Sequence, residues 1–348
     1  MPRHGTSFPV HNHDMKMTDL THESATRWHD LATRILEEDY GLTEREGLAI
    51  LDARDDELLD VLAAAYRIRR RWFGNRVNLN FLINAKSGHC GEDCGYCAQS
   101  RVSKADIPRY RLITADEVFE GARTAAERKA KTYCTVISGR APSDQELDVL
   151  GQVVPRIKEA FGLKICFSVG LLSLDQARRI KAAGVDRINH NLNTSERFYP
   201  HICSTHRYQD RLDTLAAVRE AGLEICSGGI VGMGEEDADV VELALRLGRL
   251  KAEAVPVNFL LPIPGIRLTL SSRLNPRYCL KTLCLFRMAN PRGELRIAAG
   301  REEHLGTLQP LGLYAANSIF VDGYLTADGQ PPEDDYRMIE GLGFTIGR

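Results

Sequence analysis

No apolar run in this sequence is long enough to span a bilayer, and no apolar-cored secretory signal opens it. A membrane-embedded or exported protein is not expected, and the chain reads as cytoplasmic. Net charge is also scarce: 45 basic and 47 acidic side chains leave −2. Such a surface has no strong pull toward nucleic acid or an anionic membrane. The dinucleotide fingerprint G-x-G-x-x-G is missing too, since the glycine-rich run from Cys226 to Glu235 does not match it. No linker-like shift in composition divides the chain beyond residue 77, and no sequence repeat is visible there. What remains is an ordinary globular composition, 43% hydrophobic and 26% charged. At 348 residues it suits one large barrel or two ordinary domains.

Cysteine, by contrast, is abundant. Nine are present, at 90, 94, 97, 134, 166, 203, 226, 279 and 284. Without a secretory signal they point to metal or redox chemistry rather than to disulfides. Cys90, Cys94 and Cys97 stand at C-x3-C-x2-C spacing in a polar stretch from Lys86 to Ser100, with Gly91 and Gly95 between them. So tight a loop lets three thiolates face one point. A closed zinc site, or a ferredoxin-type cluster, takes a fourth protein ligand. Three ligands leave one position open, which suits chemistry rather than scaffolding. Spacing alone leaves two readings standing: zinc completed by a distant side chain or by His89, and an open iron–sulfur cluster. Thiolates suit both.

In order along the chain, residues 1–18 read as a disordered leader, and metal binding by its His4, His11 and His13 is not expected. Residues 19–76 read as a helical extension, with a capping box at Thr43-Glu-Arg-Glu46 and no chemical motif. From residue 77 short apolar strands alternate with helices. The strands are Val77 to Ile83, Thr132 to Ile137, Lys164 to Val169, Val185 to Asn189, Glu224 to Val231, Ala254 to Leu261, Glu294 to Ala298 and Ser318 to Val321. Eight such units predict an α/β fold, a (β/α)8 TIM-type barrel over 77–345, with a doubly wound open sheet as the alternative. In a barrel, reactive groups gather where strands end, and the three-cysteine loop follows the first strand.

Cys134, Cys166 and Cys226 fall on the second, third and fifth strands. A lone strand cysteine is usually a small buried hydrophobe. Three on different strands of one barrel would meet in one interior layer. Arg296 lies within the seventh strand, where burial is costly unless it is paired in a salt bridge or clamps a carboxylate. Asn189-His-Asn-Leu-Asn-Thr194 ends the fourth strand, either as a turn or as a set of amides for a ribose, a carboxylate or a urea-like group. Asn258 is either a satisfied core amide or a ligand contact. Cys279 and Cys284 receive no role, and Cys203 is left open.

The aromatic Tyr96 before the last loop cysteine makes the pattern C-x3-C-x-aromatic-C, which resembles the signature of the radical S-adenosylmethionine (SAM) superfamily. Further stretches are similar to the biotin synthase family: Tyr133-Cys134, Lys164-Ile-Cys166, Asn189 to Thr194, Ile225-Cys-Ser-Gly-Gly-Ile-Val-Gly232, Val257-Asn258, Arg296, Ala299-Gly-Arg-Glu302 and Ala315-Ala-Asn-Ser-Ile-Phe320. That resemblance implies a [4Fe–4S] cluster on Cys90, Cys94 and Cys97. It implies a [2Fe–2S] cluster on Cys134, Cys166, Cys226 and Arg296. It implies SAM contacts from Tyr96, Asn193 and Ile230, and contacts to dethiobiotin from Asn191 and Asn258. It further implies sulfur insertion through a 5′-deoxyadenosyl radical, an electron donor of flavodoxin or ferredoxin type, and a homodimer. Asn193 departs from the family, many members of which carry aspartate there; an amide still bonds a ribose hydroxyl.

Overall fold

The computed structural model describes residues 15–269, 273–327 and 329–347, with side chains from residue 25 onward. Its strands are β1 (Arg76–Lys86), β2 (Thr132–Ile137), β3 (Lys164–Ser168), β4 (Arg187–Asn189), β5 (Glu224–Cys226), β6 (Gly229–Val231), β7 (Ala254–Phe259), β8 (Glu294–Ile297), β9 (Ser318–Phe320) and β10 (Thr345–Gly347). All pairings are parallel, running β1-β2-β3-β4-β5-β7-β8-β9, with β6 continuing the fifth position beside β7. β9 then pairs back onto β1, Asn78 opposite Ser318, and the sheet closes. That closure excludes the open-sheet alternative. The unforeseen β10 adds three residues beside the start of β1.

Helix starts follow the sequence closely because their caps are local chemistry. Thr114, Ser143 and Ser173 each cap a helix with a reciprocal bond to Glu117, Glu146 and Gln176. Two expectations need correction. The sequence after the seventh strand reads as one helix, Glu303 to Leu311, but the structure has three short pieces, Arg301–Leu305, Gly306–Leu308 and Gln309–Ala315. Gly306 has φ +49°, which ends the first piece, and Pro310 opens the last. The leader expected to be disordered through residue 18 is helical from Met15, in Met15–Glu37. Residues 1–14, with the three leader histidines, lie outside the described residues.

The extension folds as Met15–Glu37, Glu44–Leu51 and Leu58–Phe73. Leu58–Phe73 packs on the barrel helices Pro276–Ala289 and Gln309–Ala315, and Glu44–Leu51 packs on Asp237–Arg249. Gly47 permits that second contact: a Cβ there would stand 2.6 Å from Val241 Cγ1. Trp28, Ile50 and Ile68 are fully buried, each contributing about 1.5–3 kcal/mol of apolar burial.

The fifth strand is broken between Cys226 and Gly229, and the cause lies on its neighbour. In β7, Ala254 O accepts from Ser227 N at 3.0 Å. Two residues on, Pro256 faces the same edge with no N–H to give, so the ladder lapses. The chain closes in at that point, where a Cβ on Gly228 would stand 1.8 Å from Pro256 O. No helix among the described residues is long and apolar enough to cross a membrane.

Candidate metal centres

A cavity of about 290 Å³ opens at the carboxyl ends of the strands. Cys90, Cys94 and Cys97 all line it, on the loop that leaves β1. The loop is held by its backbone and by one side chain of its own: Ser87 pairs with Tyr110, Cys97 N donates to Cys94 O at 3.2 Å, and Gly88 N donates to Gln99 Oε1 at 3.1 Å. Gly88, at φ +74°, lets the chain turn over Arg109. Burial pushes the Cys97 thiol up to about 11 and raises Cys90 as well. Cys94 is raised by its hydrogen bond to Cys203 and by burial. A bound cation would supply the charge that lets these thiols ionise.

The loop's two carboxylates fasten it to the turn around residues 203–206. Glu92 accepts from Thr205 Oγ1 and His206 Nδ1, both at 2.5 Å, and from Arg140 at 3.3 Å. Asp93 accepts from Ser204 N at 2.9 Å, from the Ser204 hydroxyl, and from the Cys203 thiol at 3.3 Å. Burial raises Asp93, but these bonds outweigh it and hold the carboxyl well below its usual range.

Cys94, Cys203 and His206 offer ligand atoms within 4.8 Å of one another, a set that could be read as zinc. The imidazole argues against it. Arg211 Nη2 lies 2.8 Å from His206 Nε2, and arginine only donates, so Nε2 is the acceptor and Nδ1 carries the hydrogen toward Glu92. His206 therefore has no lone pair aimed at the sulfurs. His89, the other zinc candidate, is exposed and does not line the cavity.

Tyr96, Asn193 and Ile230 come together on one side of the cavity. Asn193 Nδ2 donates to Tyr96 Oη at 2.6 Å, and Ile230 N donates to Asn193 O at 2.8 Å. Asn193 stands at φ +71°, a conformation that asparagine tolerates better than most side chains. Asn191 and Asn258 also line the cavity. Asn191 Oδ1 accepts from Gly228 N at 3.1 Å. Asn258 bonds Gly229 O at 2.9 Å and Ala299 N at 3.1 Å, which fixes the amide and leaves one hydrogen and one lone pair for a ligand.

Deeper in the barrel, Cys134, Cys166 and Cys226 form a buried cluster with Ala254. Register brings them there: Cys134 stands opposite Cys166, and Asn189 opposite Cys226. Cys166 is within hydrogen-bonding reach of both other thiols, and the bond with Cys134 is the main reason its own thiol is raised. Arg296 is fully buried with Nη1 3.8 Å from Cys226 Sγ. Its Nη2 is buried without a partner. Leaving such a donor unpaired costs roughly 1–3 kcal/mol. Three sulfurs gathered in one buried cluster, with a buried guanidinium 3.8 Å from one of them, fit a small bridged metal cluster.

The sequence reading missed the groups that support this cluster. Asn189 Nδ2 donates to Cys226 Sγ at 3.2 Å. Glu294 Oε1 accepts from Arg296 Nε at 2.9 Å and from Ser318 Oγ at 2.8 Å. Arg187 joins Glu224 at 2.7 Å and Glu294 at 3.5 Å. The signal was present as charged residues inside apolar strands, but their partners depend on register. Asn189 and Tyr324 line the cavity and also neighbour this cluster, so they lie between the two centres.

Burial raises Glu294, but the charges of Arg296 and Arg187 outweigh it and bring the carboxyl from 4.5 down to about 2. A depressed carboxyl gives stability that is present above its ordinary value and lost as pH falls toward the folded one. Glu294→Gln leaves Arg296 uncompensated, at a cost of about 3–5 kcal/mol at neutral pH. The wild-type advantage is widest above pH 4.5 and shrinks toward pH 2. Urea unfolding at successively lower pH checks this; a gap that stays constant with pH would contradict it.

Two family descriptions match the chain: the radical SAM superfamily over residues 86–247 and the biotin and thiamin synthesis associated domain over 256–345. Biotin synthase of Anoxybacillus flavithermus is 52% identical over 319 residues, 92% of this chain and 97% of that one. The enzyme of Bacillus subtilis is 49% identical over 320 residues, 92% of this chain and 95% of its own. Among solved structures, methylornithine synthase aligns with a TM-score of 0.77 at 20% identity, covering 91% of this chain and 97% of its own. The FeFe-hydrogenase maturase HydG from Carboxydothermus hydrogenoformans aligns with a TM-score of 0.75 at 17% identity, covering 95% and 83%. At such identities these two speak for the barrel alone.

Proposed function

The chain belongs to the biotin synthase family, and from that membership we propose that it inserts sulfur into dethiobiotin to form biotin, using a radical SAM centre and a second cluster as sulfur donor. Cys90, Cys94 and Cys97 would hold the [4Fe–4S] cluster. Cys134, Cys166, Cys226 and Arg296 would hold the [2Fe–2S] cluster. When bound, the first cluster with SAM supplies a carbon-centred radical and the second supplies sulfur. Everything else falls to the chain. Tyr96, Asn193 and Ile230 bind SAM on one wall of the cavity. Asn191 and Asn258 orient the ureido ring, their amides already held by one and two backbone bonds. Asn189 sits where the substrate meets the second nest. The barrel wall excludes water from a reaction that would otherwise be quenched by its surroundings.

Residues 77–345 act as one barrel unit in this reading, with 19–76 as a helical brace. The electron donor is of flavodoxin or ferredoxin type, the enzyme is a homodimer, and nine free thiols suit a reducing cytoplasm.

The observation that carries the proposal is the meeting of Cys134, Cys166, Cys226 and Arg296 beneath a cavity rimmed by Cys90, Cys94 and Cys97. The test is anaerobic reconstitution with iron and sulfide, followed by dethiobiotin, SAM and a reductant. Biotin should be detected by mass spectrometry alongside 5′-deoxyadenosine. Sustained SAM cleavage with no biotin would reject sulfur insertion.

A further inference from the structure

We propose that Cys203 is the redox partner of Cys94: when no cluster is bound, a small-molecule disulfide such as glutathione disulfide drives the two into an internal disulfide, which withdraws Cys94 from the metal-binding loop. The two Sγ atoms lie 3.7 Å apart. Hydrogen bonds between the two segments flank the pair on both sides. Gly95 N donates to Ile202 O at 2.8 Å, Asp93 N donates to Thr205 Oγ1 at 3.2 Å, and Ser204 N donates to Asp93 Oδ1 at 2.9 Å. Their proximity is therefore a property of two stitched segments and does not depend on one rotamer.

Position assigns the order of events. Cys94 lines the cavity, and the more deeply buried Cys203 does not. A small disulfide entering the cavity meets Cys94 first. The Cys94 sulfur attacks one glutathione sulfur, the S–S bond breaks, and the Cys94 proton leaves with the departing glutathione as its thiol. Cys203 then attacks the Cys94 sulfur of the mixed disulfide. Its proton leaves with the second departing glutathione, which goes out as its thiol. Two protein thiols are oxidised and one disulfide is reduced to two thiols, so the balance closes. Cys94 and Cys203 are 109 residues apart in sequence, so only the fold makes them neighbours.

The consequence for metal loading rests on the proposed ligand role of Cys94; the disulfide itself does not. The full chain would be stripped of metal by a chelator under reductant, desalted anaerobically and exposed to glutathione disulfide. Remaining thiols are alkylated and the protein is digested with trypsin. The loop cysteines fall on the peptide 87–101 and Cys203 on 198–207. These two peptides should be recovered linked, with fragmentation placing the bond at Cys94. Cys203→Ser and Cys203→Ala should both lose the link. After the same oxidation, iron uptake by wild type should be several-fold lower than by the untreated protein, a dithiol should restore it, and in Cys203→Ser the peptide 87–101 should carry glutathione in place of the link. Recovery of Cys203 fully alkylated while Cys94 joins Cys90 or Cys97 would overturn the pairing. Linkage with equal iron uptake would keep the pair and overturn the ligand role of Cys94.

Discussion

Cys97→Ala is expected to abolish SAM cleavage. The loop brings three thiolates to the cavity, and an open cluster that depends on three protein ligands has none to spare. Alanine offers no donor atom. The backbone bond from residue 97 to Cys94 O does not involve the side chain, so the turn survives the substitution. The stability of the cluster-free protein should change little, because Cys97 is only partly buried. The loss is therefore one of chemistry and not of folding. Formation of 5′-deoxyadenosine should fall by roughly a thousandfold or more, about 4 kcal/mol of barrier. Chromatography of the nucleoside products, beside a thermal melt, separates the two effects. Near wild-type cleavage would remove Cys97 from the ligand set.

Cys226→Ala is the complementary case. Biotin formation should fall below detection while part of the SAM cleavage remains, because the mouth loop keeps all three cysteines. Cys226 is the acceptor for Asn189 and lies 3.8 Å from Arg296 Nη1, so its loss strips the second nest of both contacts. Alanine in place of a small buried side chain costs about 1 kcal/mol, too little to unfold a barrel of this size. Both products should be measured in one sample, since the prediction concerns their ratio. A normal biotin yield from Cys226→Ala would end its role as sulfur-donor ligand. An equal fall in both products would mean that the two centres cannot be separated by substitution.

The barrel was largely legible because its signals are local. Capping boxes at Thr114, Ser143 and Ser173 fix helix starts within a few residues of chain. The break in the fifth strand was not legible, because it is set by Pro256 on another strand, which came beside Gly228 only through the register of the closed sheet. The same division holds in the site. Cys90, Cys94 and Cys97 announce themselves by spacing. Cys134, Cys166 and Cys226 could be suspected only as a set, because each alone reads as a small hydrophobe. The partners of Arg296 and the approach of Cys203 to Cys94 needed coordinates. Glu294 meets Arg187 across the barrel interior, and Asp93 meets Ser204 across more than a hundred residues of chain.

The origin of the product's sulfur tests the two-centre arrangement most directly. The protein would be reconstituted with isotopically labelled sulfide, freed of excess, and run through a single turnover with dethiobiotin, SAM and a reductant. Biotin should carry the label, and the Cys134→Ala, Cys166→Ala, Cys226→Ala triple variant should make none. Unlabelled biotin from the wild type, or labelled biotin from the triple variant, would contradict a sulfur donor held in the barrel's throat.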